Sequence, residues 1–193
     1  MLDFELIPLE DIDPEIVGNG LFECLQDEAT QEQLALYLPT PLAYGKSPQQ
    51  ARERVEKNQR LAREDQRFKP FVQMLGEEVI GLAVIDARAE AHKDKLPVVR
   101  KFIGKIATEG PSTSSWITSR RQGNSYGHQS LETRIGLATK DYGYDGLWTV
   151  VDNSNYISAN NVTGRGFGPK YRGNFWVLGE HFSDAIIYQY LSD

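Results

Sequence analysis

One short loop in the second half of the chain has the residue types of an anion-binding site. Gly123, Ser125 and Gly127 stand on alternate positions behind Arg120 and Arg121. None of the three small residues carries a bulky side chain, so a ligand could approach the backbone closely. The two arginines could add positive charge, although exposed arginines are usually only solvated. The ligand that this combination binds most often is a phosphate.

The elements on either side of the loop strengthen that interpretation. The run Ser114–Thr118 before it predicts a strand. A helix is predicted to begin after it, near Gly127 or His128, because residues recur there at helical spacing, namely Leu131, Ile135, Ala138 and Tyr142. A strand, a small-residue loop and a helix in this order direct unpaired N–H groups and the positive end of the helix dipole at one spot.

The first half of the chain predicts the elements that would support this loop. They are a strand at Phe4–Leu9, helical segments around Asp13–Gln26 and Thr30–Leu38 with a break near Gly18-Asn19-Gly20, a helix from Ser47-Pro48 onward, and a hairpin formed by Phe71–Leu75 and Val79–Ile85. Thr30 with Gln33 fits a capping box, in which the two side chains satisfy backbone N–H groups at a helix start.

The composition is that of one globular domain. The chain has 193 residues, of which 40% are hydrophobic and 25% are charged, and this is enough for one sizeable core. A net charge of −6 leaves no basic excess to displace phosphate counterions, so nucleic acid is not an expected partner. No leader-like or long apolar run predicts export or a membrane span, and the cytoplasm is the expected compartment.

Cysteine and histidine are too sparse to predict a disulfide or a metal site. Cys24 is the single cysteine, which excludes an internal disulfide, and its apolar surroundings favour a core position. The histidines at 92, 128 and 181 show no close pairing with each other or with Cys24. No metal is therefore expected.

A long stretch at about residues 88–111 interrupts the alternation of strands and helices. Connections of this length in compact domains are usually functional or mobile. The stretch has six basic residues, at positions 88, 93, 95, 100, 101 and 105, and acidic residues are mixed among them. It is interpreted as a solvated excursion, with a substrate-gripping basic loop as the alternative.

The loop itself resembles a known family. It fits neither the P-loop, because no Gly-Lys-Ser/Thr ends it, nor the dinucleotide G-x-G-x-x-G pattern. Gln122-Gly-Asn-Ser-Tyr-Gly127 resembles the pyrophosphate loop of the GNAT superfamily of N-acyltransferases, whose pattern is Arg or Gln, two residues, Gly, one residue, then Gly or Ala. Gln122 and Gly127 match, while Ser125 replaces the middle glycine and narrows the allowed backbone angles.

A second motif follows in the order and spacing of the same family. The strand-like run Leu147–Asp152 precedes Asn155-x-x-Ser158 and then Gly166-Phe167. This resembles the signature of the GNAT branch that contains the ribosomal-protein N-terminal alanine and serine acetyltransferases. The match covers nearly the whole chain, up to the final strand-like run Phe182–Tyr188, apart from the excursion at 88–111.

The resemblance implies an α/β (α+β) architecture, the GNAT fold, in a single domain over residues 1–193. A mixed, strongly bent sheet of about seven strands is flanked by helices, and its fourth and fifth strands splay apart. In that family the pantetheine arm of CoA enters the splay and mimics a strand.

The same resemblance assigns residues to the cofactor site. Backbone groups of Trp116, Ile117 and Thr118 would contact pantetheine, and Asn155 would bond the arm from the facing side. The pyrophosphate would be held by the loop that starts at Gln122, through the amides of Gly123, Asn124, Ser125, Tyr126 and Gly127. Asn155 could equally cap a helix, and the two roles would then compete at one residue.

The implied reaction is attack of an amine on the thioester of acetyl-CoA or another acyl-CoA. The family finds its oxyanion donor in a backbone N–H of the fourth strand. Many members use a tyrosine four residues before the Gly of Gly-Phe, and Val162 stands at that position. Ser158 is therefore the catalytic candidate for meeting the leaving sulfur, with an ordinary helix serine as the alternative.

The general base is not defined by the sequence. The fourth strand, Ser112–Thr118, carries no carboxylate. Glu109 is ranked first as the catalytic base, and Asp86, a residue on the early helices or a water chain are the alternatives.

The sequence therefore predicts an acyl-CoA-dependent N-acyltransferase, an enzyme that transfers acetyl to a primary amine in a ternary complex. The acceptor, a protein N-terminus or a small amine, is left open, and so is the choice between monomer and homodimer. A CoA-binding module that has lost catalysis is the first alternative, because of Ser125, Val162 and the absence of a carboxylate in the fourth strand. A structural or interaction protein that docks through residues 88–111 is the second.

Overall fold

Among the residues that the structure describes, seven strands and five main helices follow one another. The computed structural model describes residues 3–37, 44–88, 110–177 and 180–192. The strands are β1 (Phe4–Pro8), β2 (Phe68–Leu75), β3 (Glu78–Asp86), β4 (Ser112–Ile117), β5 (Gly146–Asp152), β6 (Gly168–Val177) and β7 (Glu180–Leu191). The helices are α1 (Pro14–Cys24), α2 (Glu28–Tyr37), α3 (Pro48–Glu64), α4 (Tyr126–Gly136) and α5 (Tyr156–Thr163).

The strands form one mixed sheet in the order β1-β2-β3-β4-β5-β7-β6. β1 pairs antiparallel with β2, and β7 pairs antiparallel with both β5 and β6. β4 and β5 are parallel, and their register is the single pair Ser112 and Trp148, as expected for strands that splay apart. The predicted GNAT-type sheet of about seven strands flanked by helices is confirmed.

The chain groups into two compact units. The first contains Met1–Val84 and Ser115–Ser130, and the second contains Ile85–Ser114 and Leu131–Asp193. Each has its own buried side chains. The expectation of a single domain stays a prediction.

In the first unit, α1 and α3 share a core with the sheet. Its fully buried members include Val17, Leu21 and Leu25 of the α1 region and Val55 of α3. The predicted break near Gly18-Asn19-Gly20 is wrong, because α1 runs without interruption from Pro14 to Cys24.

Close packing explains why glycines stand inside α1. A Cβ on Gly18 would come within 2.8 Å of the Arg52 backbone in α3, and one on Gly20 would overlap the Val79 side chain of β3. Glycine weakens an isolated helix, but here it lets neighbouring elements approach.

The helix starts of the first unit are capped by side chains. Ser47 accepts a hydrogen bond from the Gln50 N–H at 3.1 Å, which confirms the start predicted for α3. α2 begins at Glu28, so the predicted capping box at Thr30 is wrong. The preceding carboxylate caps instead: Asp27 Oδ2 accepts from the Thr30 N–H at 3.2 Å.

In the second unit, β5 is a central strand. Leu147 and Trp148 are completely buried, and every residue of β5 has a partner in β7. After α4 the chain makes a π-type turn over Leu137–Asp141 before it reaches β5. Most of the predicted excursion at 88–111 lies outside the described residues. Within the residues that are described, no helix combines the length and the apolar character needed to cross a membrane.

Candidate functional site

The small-residue loop lies in the first unit, between β4 and α4. A 3₁₀ turn at Ser119–Arg121 leads into it, and α4 begins at Tyr126, one residue before the predicted start. Gly123 and Ser125 both have positive φ angles, 81° and 64°. The backbone therefore reverses twice within three residues, which is how a chain turns several successive N–H groups toward one side.

The loop is open where a ligand would approach. A Cβ added at Gly123 would have no atom within 4 Å, and residues 122–125 are exposed. Within the described part of the chain, no oxygen accepts a hydrogen bond from the backbone N–H groups of residues 123–127. Five donors at the positive end of α4 are thus available to an anion.

Ser125 stands where the loop pattern of the GNAT superfamily has a glycine. It adopts the left-handed conformation. That conformation is unfavourable for a residue with a Cβ and is normal for glycine. The serine therefore takes the same backbone shape that the family's glycine would allow.

The first half of the loop is held from behind by the start of α2. The Asp27 carboxylate accepts from Thr30 Oγ1 at 2.5 Å and from Ser119 Oγ. The Ser119 N–H in turn donates to Thr30 Oγ1 at 2.8 Å. Side-chain hydrogen bonds from Ser119 and Thr30 keep the pKa of Asp27 below its usual value. The anchor is thus built around an ionised carboxylate.

Gln122 takes part in the same support. Its amide Nε2 donates to Gln33 Oε1 at 2.6 Å on α2 and to the Ile117 carbonyl at 3.1 Å on β4. The side chain therefore fixes the loop to two elements, while the backbone carries the predicted contact with the ligand.

The two arginines before the loop differ. Arg121 forms a two-pronged ion pair with Glu78, with one contact from Nε at 3.1 Å. Arg120 has a side chain that is 63% exposed and lies 3.9 Å from Asp27. Arg120 is therefore the better placed of the two to meet an incoming phosphate.

The three residues at the end of β4 that were predicted to contact pantetheine differ in the hydrogen bonds of their backbone groups. The Thr118 N–H donates to the Ile80 carbonyl at 2.8 Å, and its carbonyl accepts from the Arg121 N–H at 3.0 Å. Thr118 thus ties the loop to β3, and the expected contacts with a ligand rest on Trp116 and Ile117.

The second motif lies in the second unit, at the start of α5. Asn155 caps this helix, because its Oδ1 accepts from the Ser158 N–H at 3.1 Å. Within the described residues, nothing accepts from its Nδ2. The two roles predicted to compete at Asn155 use different atoms, so both can coexist.

Ser158 is half-buried one turn into α5. Its N–H is used by the cap, while its Oγ has no hydrogen-bond partner within the described residues. Val162 and Phe167 are both buried, and the Phe167 ring packs against Tyr190 with centroids 5.6 Å apart. The Gly-Phe part of the motif is therefore core, while Asn155 and Ser158 keep side-chain atoms without a hydrogen-bond partner in the described part of the chain.

The candidates for the base are unequally placed. Glu109 lies outside the described residues. Asp86 is almost fully buried, and its two oxygens accept from Arg88 Nε at 2.8 Å and Nη2 at 2.6 Å. Asp86 is therefore already engaged by Arg88 within its own strand end.

Among the described residues, neither Cys24 nor any group of potential metal ligands forms a site. Burial raises the pKa of the Cys24 thiol to about 12, and its Sγ donates to the Val79 carbonyl, so it is an unreactive core residue. Among the described residues, no group of three or more potential ligands could hold a metal ion. His128 is exposed at the start of α4, and His92 lies outside the described residues.

Sequence reasoning missed three buried or half-buried polar residues near this site or its strands. Asp27 had a readable signal, since an aspartate just before a helix is a common cap. Gln73 in β2 and Arg134 in α4 had none, because each looks like a surface residue. Burial lowers the pKa of Arg134 to about 9, and its Nη1 donates to Thr113 Oγ1 at 2.6 Å.

No protein-family model and no curated protein sequence matches the chain. Solved structures with similar folds exist. RimL, the ribosomal L7/L12 alpha-N-protein acetyltransferase in complex with coenzyme A, is 17% identical with a TM-score of 0.74, and the alignment covers 98% of this chain and 94% of RimL. The ribosomal-protein-S5-alanine acetyltransferase of Vibrio fischeri is 15% identical with a TM-score of 0.68, over 98% and 92% of the two chains.

A third structure with a similar fold has a different named role. It is the microcin C7 self-immunity acetyltransferase MccE, in complex with acetyl-CoA and AMP, at 12% identity and a TM-score of 0.71 over 98% of this chain and 93% of that one. At such identities the likeness establishes the fold. The predicted resemblance to the ribosomal-protein alanine and serine acetyltransferases is confirmed in that sense.

Proposed function

We propose that the chain is an acyl-CoA-dependent N-acyltransferase that transfers acetyl from acetyl-CoA to a primary amine by direct transfer in a ternary complex. The observation that carries the proposal is the row of five backbone N–H groups, 123–127, without an acceptor in the described part of the chain. A pyrophosphate satisfies such donors with charge-assisted hydrogen bonds. The acetyltransferase structures with the same fold support the choice of CoA as its carrier.

The residues present fit this cofactor. The open space at Gly123 leaves room for a phosphate against the backbone. Arg120 would add charge near the phosphates. Trp116 and Ile117 would offer backbone groups to the pantetheine arm, and Asn155 would offer its Nδ2 donors.

The chemistry requires the amine to lose a proton before or during attack. A lysine amine has a reference pKa near 10.4 and an α-amino group one near 7.7–8.0, so the second is easier to deprotonate at neutral pH. A backbone N–H of β4 would stabilise the oxyanion, and Ser158 Oγ would donate to the departing sulfur. For the base, Glu109 remains the first choice, since Asp86 is tied to Arg88.

The acceptor we favour is a protein N-terminus, in keeping with the named roles of RimL and the Vibrio fischeri enzyme. A small amine is the other choice. A cytoplasmic location suits both.

A second candidate function is a CoA-binding module without turnover. The observation that favours it is Val162, which is buried at the position where many GNAT enzymes carry a tyrosine. Such a module would bind acetyl-CoA and transfer acetyl to no amine.

The deciding experiment is calorimetric titration of the protein with acetyl-CoA, with desulfo-CoA and ADP as controls. Saturable binding of acetyl-CoA and desulfo-CoA, with ADP weaker, would support the CoA site. An acceptor screen with N-terminal peptides and small amines would then separate the enzyme from the module. No heat change and no binding by any second method would overturn both.

A further inference from the structure

Gln73 in β2 is completely buried, yet it is a polar residue in the middle of a sheet. Its Nε2 donates to two backbone carbonyls, that of Leu82 in β3 and that of Trp116 in β4, at 2.8 Å each. One side chain therefore spans from β2 across to β4. Buried glutamines are uncommon, and each needs a reason in the structure.

The chemistry of the contact fixes the direction of this amide. If the amide were flipped, its oxygen would face two carbonyl oxygens, which would repel it. In the orientation observed, Gln73 Oε1 has no hydrogen-bond partner among the described residues. Leaving a buried acceptor unpaired is unfavourable. The side chain is therefore arranged for the two carbonyls and not for its own oxygen.

The Trp116 carbonyl needs this donor because it does not lie in the usual plane of the sheet. A Cβ added at Gly81 of β3 would overlap the Trp116 oxygen. In a regular ladder carbonyls point toward the neighbouring strand, not toward the position of a Cβ. The Trp116 carbonyl is thus turned over Gly81, where only glycine leaves room, and Gln73 satisfies it there.

Turning this carbonyl also turns the next N–H. The peptide between Trp116 and Ile117 is planar and trans, so the Ile117 N–H points opposite to the Trp116 carbonyl. A donor that holds the carbonyl therefore fixes the direction of the Ile117 N–H as well. The next donor along, the Thr118 N–H, is already used by Ile80.

We propose that Gln73 is a positioning residue that aims the Ile117 N–H at the thioester carbonyl oxygen of bound acetyl-CoA. The inference rests on the proposed function, since it concerns the same site. Gln73 itself touches no substrate. It acts through the Trp116–Ile117 peptide, with Gly81 providing the space.

The chain offers a matched control for testing this role. Gln59 in α3 is also buried, and its Nε2 also bridges two carbonyls at 2.8 Å, those of Leu9 and Ile12. Gln73→Met and Gln59→Met each remove two hydrogen bonds to backbone carbonyls, one buried and one part-buried, and keep side-chain volume. They differ in that one of the two carbonyls bound by Gln73, that of Trp116, belongs to β4, whereas neither of those bound by Gln59 does.

The measurement is the infrared frequency of acetyl-CoA labelled with ¹³C at its thioester carbonyl, free and bound. A hydrogen bond from Ile117 lowers this frequency on binding. We expect the shift in the wild type and in Gln59→Met, and its loss in Gln73→Met, while desulfo-CoA affinity stays within about threefold in all three. With an accepting amine, kcat should fall about tenfold or more in Gln73→Met alone.

The outcomes separate two failures. If the wild type shows the shift and Gln73→Met keeps it, Gln73 has no positioning role and the inference is overturned while the proposed function stands. If the wild type does not bind acetyl-CoA, both are overturned.

If Gln73→Met does not fold, as judged by circular dichroism, the proposal is tested on the wild-type protein alone. The amide signal of Ile117 in the NMR spectrum should then differ between the acetyl-CoA and desulfo-CoA complexes, and so should the side-chain amide signals of Gln73. Identical signals in both complexes would contradict the proposal.

Discussion

The starts of α4, in the first unit, and of α5, in the second, carry the two motifs that the sequence analysis assigned to a cofactor, and they are built in opposite ways. At α5 the chain itself supplies an acceptor for a backbone N–H of the first turn, because Asn155 Oδ1 accepts from the Ser158 N–H. At α4 the chain reverses through left-handed Ser125, and the N–H groups of 123–127 have no acceptor in the described part of the molecule. A helix start left open in this way is suited to an anion, whereas a capped one presents only its remaining side-chain atoms.

The two starts also differ in what holds them. The loop before α4 is attached to other elements by the carboxylate of Asp27 and the amide of Gln122. The α5 start is held locally by a neutral amide three residues away. The open start is therefore held by neighbouring elements, and not by contacts within its own helix.

The largest effect should come from blocking the open start. We expect Gly127→Val to weaken CoA binding about 100-fold, since losing two charge-assisted hydrogen bonds of roughly 1.5 kcal/mol each has that size. The control is Gly136→Val in the same helix, where an added Cβ meets no atom within 4 Å. Calorimetry on both variants, with thermal unfolding alongside, makes the test. Equal affinities in the two variants would remove the loop from the CoA site.

The next effect concerns the side chain that the capped start presents. Ser158→Ala should slow acetyl transfer about tenfold or more and leave CoA affinity unchanged, because Oγ is expected to meet the sulfur only as it departs. Steady-state kinetics with a fixed amine gives kcat and KM separately. If Ser158→Ala keeps the kcat of the wild type, Ser158 is an ordinary helix residue.

A pair of substitutions separates the two roles of Asn155. Asn155→Asp keeps an acceptor for the Ser158 N–H, so its stability should stay near that of the wild type, whereas Asn155→Ala should lose about 1 kcal/mol. Both remove the Nδ2 donors and should weaken CoA binding by a similar factor. If only the alanine variant binds CoA more weakly, the cap matters and the contact with the arm does not exist.

The difference between the two starts also explains what sequence could predict. The order of strands and helices, the loop at Gln122–Gly127 and the cap at Ser47 follow from local patterns and motifs, and the structure contains them. The continuous α1 could not be predicted, because the space at Gly18 is needed by α3, which is distant in sequence. The cap formed by Asp27 was readable, but its contact with Ser119 and that of Gln73 with Trp116 were not, because these partners lie 92 and 43 positions away in sequence.

The anchor of the open start should respond to pH, and the cap of the other start should not. The pKa of Asp27 is lowered in the folded protein, so its contribution to stability is present above the unfolded value near 3.9 and is lost as the pH falls through the folded value. Urea unfolding of the wild type and Asp27→Asn should therefore show a difference at pH 7 that shrinks toward pH 3. The difference between the wild type and Asn155→Ala should stay constant. A pH-independent Asp27 difference would mean that the carboxylate is not the group that holds the loop.

The smallest effect is expected at Ser125, and it tests whether the open start is defined by backbone alone. Ser125→Gly relieves a left-handed residue but adds freedom to the unfolded chain, and the two effects nearly cancel, so the stability should change by less than about 1 kcal/mol. CoA affinity should stay within about threefold, because the phosphate is expected to meet N–H groups and not the serine hydroxyl. The measurement is calorimetric titration of Ser125→Gly with CoA, compared with that of Gly127→Val. A tenfold loss of affinity would make Ser125 Oγ a ligand in its own right, which is the role that we propose for the Asn155 side chain of α5.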